Sequence, residues 1–453
     1  MAEEFSIELT VMSSVLPEGR AIPSDLPSER QSSRQEFSLP PVDGGKSAWL
    51  FLAACWIVEA LVWGFTFSFG VFQDYYSINT PLAGSGNIAA IGTTASGIMY
   101  MGTPIVLVLC RLYPRVARWF TIVGLVIASL AMALSSLCTT VPQLVITQGL
   151  VAGIGGCLAY VPCDVYIDEW FVKRKGLAYG IVWSAAGFGG CLLPLLINAL
   201  LGAFGLRTAL QIWAGVLFAS ASSLAYFIRP RLPYSAATHV RPFDVRYFTS
   251  RAFTLHQISN IIQALGYFLP VVYLPTYARS VCNASGYLPV LTILLVNIAA
   301  TIGSVIMGSF ADKLPSTTCI LISTIGATSG VLLLWGLSVS LPALYCFCFV
   351  YGLFAGCWTS MWPAIMREVS NKIRETSDRE YVDPMMVFGW LCVGRGIGNV
   401  TSGPLSSLLI EDMPWKGQSI GGFGSGYGGL IVFTAVSTFL GGSTFVWKYL
   451  NLL

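Results

Sequence analysis

Residues 170–180 read WFVKRKGLAYG, and residues 184–190 read SAAGFGG. In this stretch a turn with three consecutive cations leads directly into a helix that carries small residues on one face. These small residues recur at helical spacing: Gly176, Gly180, Ser184 and Gly187. Cations at the membrane boundary hold a loop on the cytosolic side, and small residues let the backbone of a neighbouring helix approach closely. The stretch therefore predicts a membrane-spanning helix that begins at a cytosolic turn and packs tightly against a neighbour.

The composition supports a membrane protein. Hydrophobic residues make up 55% of the chain and charged residues only 10%, and the mean hydropathy is +0.70. A soluble domain carries about 25% charged residues, so a surface this poor in charge must be covered largely by lipid. The net charge of +3 is too small and too scattered to indicate a nucleic-acid partner.

Apolar segments long enough to cross about 30 Å of hydrocarbon recur along the chain. They predict twelve spans, near residues 48–72, 87–110, 117–138, 142–166, 176–201, 207–228, 252–278, 287–310, 317–338, 341–366, 385–410 and 425–448. The predicted domains are a disordered cytosolic tail at 1–46 without a signal peptide, a six-helix half at 47–228, a cytosolic connector at 229–251 and a second six-helix half at 252–453. The polar run 367–383 is predicted to form a helix along the inner surface.

The positions of the basic residues test this topology independently. With both termini in the cytosol, 21 Lys and Arg residues fall on the inner side, three on the outer side and one, Arg395, within a span. This asymmetry follows the positive-inside rule for an even number of spans. We therefore expect an all-α membrane protein of twelve transmembrane helices in two pseudo-symmetric six-helix halves, which is the major facilitator fold.

Cysteine and histidine do not indicate a disulfide framework, a metal site or a cofactor. Eleven of the twelve cysteines lie in or beside apolar stretches, and only Cys282 falls in a predicted outer loop. Small buried thiols are ordinary core residues. His239 and His256 are isolated in the sequence, and the glycosylation sequon at Asn283 lies in a very short loop.

Four segments resemble a known family. Asp43-Gly44-Gly45 and the stretch from Trp170 to Gly190 resemble the two signatures of the monocarboxylate-transporter-like family, and residues 69–73 (FGVFQ) and 394–404 (GRGIGNVTSGP) resemble its fungal branch. The resemblance covers residues 43–449 and implies the major facilitator fold and solute transport. Animal members have an acidic–arginine pair in the eighth span, whereas the matching positions here are Asn297 and Thr301. The family's fold carries over, but its substrate does not.

Two ionisable residues lie inside predicted spans, where charge is costly and usually functional. Glu59 and Arg395 each lie about 15–17 Å from the end of their span at 1.5 Å per residue. We hypothesise that they form an ion pair or flank a cavity in which Arg395 binds a carboxylate; a static ion pair between helices is the alternative.

Other candidates for the substrate or coupling site are polar or aromatic residues on the same helical faces. They are Trp63, Gln148, Asn260, Gln263, Tyr267, Asn297, Trp358, Trp362 and Asn399. The plainer interpretation is packing or lipid contact for the aromatic residues and helix–helix hydrogen bonding for the amides.

A second set is expected at the cytosolic gate, and it consists of Lys173, Arg174, Lys175, Gly176 and Gly180. Asp168 and Glu169 are predicted to form a rim network with Lys173, and Asp164 is predicted to be interfacial.

The leading hypothesis is a secondary active transporter of a small organic solute that works by alternating access, not an enzyme. Two substrate hypotheses remain open: a monocarboxylate or related organic anion, or a fungal secondary metabolite for export or a neutral compound such as a vitamin. A nutrient sensor is a third hypothesis. Glu59 is the candidate for proton coupling. The expected partners are the solute, the bilayer and protons; the expected state is a monomer, in the plasma membrane or in an organelle membrane such as that of the vacuole.

Overall fold

The structure is a computed structural model that describes residues 40–78, 88–232, 246–337, 339–376, 383–410 and 413–450. Within these ranges the chain is helical and contains no strand. The predicted tail before residue 40, much of the connector and part of the polar run at 367–383 lie outside the described residues.

The described residues of the first half form eight α-helices. They are α1 Gly45–Phe67, α2 Phe69–Ile78, α3 Ala89–Leu112, α4 Pro114–Ala117, α5 Phe120–Ser135, α6 Val141–Leu144, α7 Ala152–Trp170 and α8 Lys175–Ala225. A π-helical segment, Val145–Val151, joins α6 to α7.

Eight further α-helices are present in the part of the second half that the structure describes. They are α9 Arg251–Ser280, α10 Leu288–Lys313, α11 Ser316–Ser329, α12 Leu341–Ala355, α13 Trp362–Thr376, α14 Pro384–Ile410, α15 Gly428–Gly441 and α16 Thr444–Tyr449. A second π-helical segment, Gly330–Trp335, follows α11.

Nine helices in the described ranges are long and apolar enough to cross a membrane. One of them contains most of α8, which covers the predicted fifth and sixth spans together. Gly205, with φ 75° and ψ 175°, breaks α8 between the two spans. A positive φ costs glycine little, so the chain can change direction here with almost no loop.

Two further predicted spans have helical counterparts that are not among the nine. Helix α5 has 16 residues and is shorter than the predicted third span at 117–138, and α14 matches the predicted eleventh span. Every predicted span overlaps a helix, and the total of twelve spans remains a prediction. The polar run at 367–383 begins as the continuation of α13, since that helix extends from Trp362 to Thr376.

The two halves pack most closely along α8 and α10. A Cβ atom added at Gly180 would lie 2.5 Å from the Ser304 carbonyl oxygen and 3.1 Å from the Gly308 Cα atom. The small residues at the start of α8 therefore bring two backbones together. We call the end of the bundle that holds Gly45, Lys175 and Arg251 the basic end, which is the predicted cytosolic side.

Candidate functional site

A buried arginine lies between the two halves. Arg395 in α14 is 2% exposed, and its Nη1 atom donates a hydrogen bond to Gln263 Oε1 at 3.0 Å. Its Cζ atom lies 4.6 Å from the ring centroid of Tyr267 and 5.5 Å from that of Phe268. No carboxylate of the described residues lies within 4.0 Å of the guanidinium. A buried charge without a counterion is costly, which makes Arg395 the strongest candidate among the predicted site residues.

The first half contributes aromatic rings to the same place. Tyr100 in α3 interacts with Arg395, and its ring centroid lies 4.5 Å from that of Trp63. Trp63 in turn lies 5.4 Å from Tyr160. A single cation is thus surrounded by rings from both halves. We call Arg395, Gln263, Tyr267, Phe268, Tyr100 and Trp63 the arginine site.

The hypothesised ion pair between Glu59 and Arg395 is not formed. Glu59 is 1% exposed, and the charged side chain that acts on it most strongly is Asp164 in α7. Asp164 is 0% exposed, so its side chain is enclosed by protein, whereas its interfacial depth in the membrane stays a prediction. Helix α7 continues to Trp170, which places Asp164 more than one turn inside the bundle.

An aromatic layer closes the space between the halves on the side of the basic end. The rings of Trp183 and Phe388 stack with centroids 5.7 Å apart and an interplanar angle of 8°. Trp362 packs edge-on against both, at 5.8 Å and 5.7 Å, and Tyr179 lies 6.4 Å from Phe388. Trp362 therefore belongs to this layer and does not line the arginine site.

Polar contacts join the halves beyond the aromatic layer. Arg111 Nε and Nη2 donate to the two carboxylate oxygens of Asp383 at 3.0 Å and 3.1 Å. Asp312 accepts hydrogen bonds from the backbone N–H groups of Gly176 and Leu177 at 2.6 Å and 2.9 Å. These N–H groups form the positive end of α8, where a carboxylate is stabilising.

The predicted rim network has different partners from those expected. Asp168 pairs with Lys175, at 2.6 Å, rather than with Lys173. Glu169 accepts hydrogen bonds from the backbone N–H groups of Arg231 and Leu232 at 2.9 Å and 3.1 Å. Asp168 is therefore bound to the first residue of α8, and Glu169 is bound to the segment that follows α8.

The two segments that resemble family signatures bind each other. The Asp43 carboxylate accepts hydrogen bonds from the backbone N–H groups of Val172, Lys173 and Arg174 at 3.0, 3.0 and 2.9 Å. Partial burial raises the pKa of Asp43, but these donors and the Arg174 charge outweigh it, and the pKa lies below its ordinary value. Asp43 thereby ties the entry of α1 to the turn before α8.

The side-chain amides of three predicted site residues form hydrogen bonds between helices. Asn399 Nδ2 donates to Ser96 Oγ at 2.8 Å, and Asn297 Nδ2 donates to the Gly190 carbonyl at 2.8 Å; both bonds cross between the halves. Asn260 Nδ2 donates to the Leu391 carbonyl at 2.8 Å.

Two other predicted residues also lie outside the arginine site. Gln148 accepts a hydrogen bond from the Tyr76 hydroxyl at 2.8 Å and lines a small cavity of about 30 Å³ inside the first half. Trp358 is 2% exposed, and its indole Nε1 atom has no hydrogen-bond partner.

Sequence reasoning missed several residues of this region. Tyr100, Trp183 and Phe388 are aromatic residues in apolar helices, and nothing in their local sequence separates them from lipid-facing rings. Asp383 lies beside the predicted eleventh span, so its pairing with Arg111 depends on how the halves meet.

Comparison with known proteins agrees with this architecture. Residues 55–377 match the family described as Major Facilitator Superfamily. The chain is 24% identical over 437 residues to an MFS transporter, asaE, of Aspergillus flavus. This match covers 95% of the chain and 92% of the relative. It is 27% identical over 337 residues to a fujikurins efflux protein of Gibberella fujikuroi, which covers 73% of this chain and 71% of the relative. It is 26% identical over 370 residues to an aspyridones efflux protein, apdF, of Emericella nidulans. This match covers 77% of this chain and 72% of the relative.

The family match spans well over half of the chain, the described residues form an all-helical bundle with apolar membrane-crossing helices, and the relatives that cover most of it are transporters. The chain therefore belongs to the Major Facilitator Superfamily, as a multi-pass membrane transporter rather than an enzyme.

Proposed function

We propose that the protein exports a small amphipathic organic acid, with an acidic group and an apolar or ring-containing body, in exchange for protons. The observation that carries this proposal is the arginine site, in which one buried guanidinium without a carboxylate partner is surrounded by aromatic rings from both halves. Relatives named as efflux proteins for fujikurins and aspyridones support the direction of transport.

The chemistry of recognition follows from these side chains. A guanidinium binds a carboxylate or enolate through two parallel N–H···O bonds, and aromatic rings bury the apolar body of the solute. Substrate binding supplies the counterion that Arg395 lacks among the described residues. The aromatic layer and the Arg111–Asp383 pair separate when the basic end opens, and the site then takes up solute from that side.

A short monocarboxylate is the second candidate. The Asp43 contacts with residues 172–174 support it, because they join the two segments that resemble the monocarboxylate-transporter-like family. We favour the larger solute because rings as wide as Trp63, Tyr100 and Tyr267 offer more contact area than a short acid can use. A neutral solute would leave the guanidinium without a counterion.

Topology and location form part of the same proposal. Both termini lie in the cytosol, twelve helices cross the membrane, and the monomer works in the plasma membrane or in an organelle membrane such as that of the vacuole. The support is the 21-to-3 distribution of basic residues, which follows the positive-inside rule.

Transport into sealed vesicles tests the proposal. The probe is a fluorescent naphthalene carboxylate, compared with its uncharged methyl ester, under an imposed pH gradient. Removing one member of a buried charge pair costs about 2–5 kcal/mol, so Arg395→Gln should raise the KM for the carboxylate about 30-fold or more. Arg279→Gln is the matched control, since Arg279 is an exposed arginine in α9. Equal KM values for Arg395→Gln and the wild type, or faster transport of the ester than of the acid, would contradict the proposal.

A further inference from the structure

We infer that Glu59 and Asp164 form a proton-binding carboxyl pair, and that Trp183 couples the hydration of this pair to the opening of the basic end. The role in transport rests on the proposed function, whereas the presence of the bound proton does not. Neither residue belongs to the arginine site, and the sequence analysis named Asp164 only as an interfacial residue.

Both carboxyl groups are buried, and three of their four oxygens lack hydrogen-bond partners. Glu59 is 1% and Asp164 0% exposed. Glu59 Oε1 and both carboxyl oxygens of Asp164 have no partner at hydrogen-bonding distance. The two side chains lie on the packed helices α1 and α7 and interact electrostatically. Buried carboxylates ordinarily accept several hydrogen bonds, so these oxygens lack what an ionised group requires.

The described residues of the surrounding helices do not supply a free cation. The titratable groups that interact with the pair are Cys55 on α1, Tyr160, Cys163 and Asp168 on α7, Tyr179 on α8 and Cys392 on α14. Two cations lie next to this set, Arg111 on α3 and Lys175 on α8. The two cations are engaged elsewhere, because Arg111 pairs with Asp383 and Lys175 pairs with Asp168. The cysteines cannot neutralise a carboxylate.

Two negative charges cannot be held together under these conditions. An isolated ionised carboxylate in an apolar interior takes up a proton rather than remain charged, and a second carboxylate nearby adds Coulomb repulsion. At least one proton must therefore reside on the pair while the basic end is closed. It forms an O–H bond on Glu59 or Asp164.

Trp183 links this proton to the movement of the halves. Its indole interacts with Asp164 without forming a hydrogen bond to either carboxyl oxygen. Trp183 packs against Tyr179 of its own helix and against two rings of the second half, the stacked ring of Phe388 and the edge of Trp362. When the halves part, Trp183 loses those rings and water from the basic end reaches Asp164. The carboxyl O–H bond then breaks, water accepts the proton, and the carboxylate is solvated.

Polar residues line the way from the pair to the basic end. The Tyr179 hydroxyl donates to the Asp164 carbonyl at 2.9 Å and to Asp168 Oδ1 at 3.1 Å, and Asp168 pairs with Lys175 at 2.6 Å. On the other side, Glu59 lies one helical turn from Trp63 of the arginine site. The pair therefore lies between the solute site and the basic end, where exchange of a proton for a solute requires it.

Infrared spectroscopy of the full-length protein in nanodiscs of ether-linked lipids, which have no ester carbonyl, detects the proton without a substrate. A protonated carboxyl group has a C=O stretching band that carboxylates and amides lack. We expect this band at neutral pH in the wild type and its loss in the double variant Glu59→Gln/Asp164→Asn. Asp383→Asn is the matched control, because its carboxylate is paired with Arg111 and contributes no such band. A full band in the double variant would overturn the inference.

Two further measurements keep the test decisive. If the double variant does not fold, each single variant should shift the band, because one carboxyl group remains; an unchanged band in both would overturn the inference. In vesicles with the naphthalene carboxylate, Glu59→Gln should lose pH-driven accumulation and retain solute exchange without a pH difference. Wild-type vesicles that move no probe would refute the proposed function, and the infrared result would still decide the carboxyl pair.

Discussion

A methyl group at Gly180 should open the basic end of the protein. In Gly180→Ala the new Cβ atom would lie 2.5 Å from the Ser304 carbonyl oxygen, about 1 Å closer than the 3.4 Å at which ordinary contacts begin. The contact joins α8 of the first half to α10 of the second, so the strain falls on the arrangement in which the halves are closed.

The size of the effect follows from the cost of overpacking. Forcing extra atoms into a packed contact costs about 1–3 kcal/mol, and a bias of that size shifts a two-state equilibrium by about 5- to 150-fold. The population with an open basic end should rise by that factor. Gly202→Ala is the matched control, because it lies in the same helix and its added Cβ atom meets nothing within 4 Å.

Alkylation of a native cysteine measures the opening. Cys392 in α14 is 2% exposed, and its side chain faces Thr103 of the first half, so a maleimide reaches it only when the halves separate. Peptide mass spectrometry should show faster alkylation of Cys392 in Gly180→Ala than in the wild type or Gly202→Ala. Cys348, which lies in the core of the second half, should remain unmodified in all three proteins. Equal Cys392 rates in the three proteins would refute the reasoning.

Three other changes test the contacts at the basic end. Asp43→Asn removes the charge that accepts three backbone N–H bonds and should destabilise the protein by about 1 kcal/mol, seen as a lower Tm. Because the pKa of Asp43 is depressed in the folded protein, the Tm difference between variant and wild type should persist above the unfolded pKa and vanish as the pH falls through the folded pKa. A Tm difference that does not depend on pH would contradict the assignment. In a double-mutant cycle, Arg111→Ala and Asp383→Ala should each speed Cys392 alkylation, and the double variant should add little more, since either change breaks the same pair. Fully additive effects would show that the pair does not hold the two halves together. Trp183→Leu removes the ring stacked on Phe388 and should likewise speed Cys392 alkylation, whereas a rate equal to that of the wild type would exclude the aromatic layer as a barrier.

The class of fold was predictable because its signals are local. Hydropathy identifies a span from its own residues, and the small residues between 176 and 187 indicate a close helix contact without naming its partner. The partner, α10, required the structure. The continuity of α8 was missed because a single glycine with positive φ, Gly205, replaces the expected loop.

The site was predictable only in part, for a geometric reason. Depth along a helix can be counted from the sequence, and both residues chosen in this way, Glu59 and Arg395, are buried inside the bundle. The direction in which a side chain points depends on how each helix is rotated and on which helices are neighbours, so depth alone suggested a pair that is not formed. The burial of Asp164 was not predicted because the predicted span ended four residues before Trp170, where α7 ends.

The central claim is that the halves separate at the basic end to load the arginine site. Joining Arg111→Cys to Asp383→Cys with a short, reducible bifunctional reagent would clamp the two positions that the ion pair now connects at 3.0 Å. Transport of the naphthalene carboxylate, measured in the same vesicles before and after reduction, tests the claim most directly. We predict that the cross-linked protein is inactive and that reduction restores the rate, whereas undiminished transport by the fully cross-linked protein would contradict the claim.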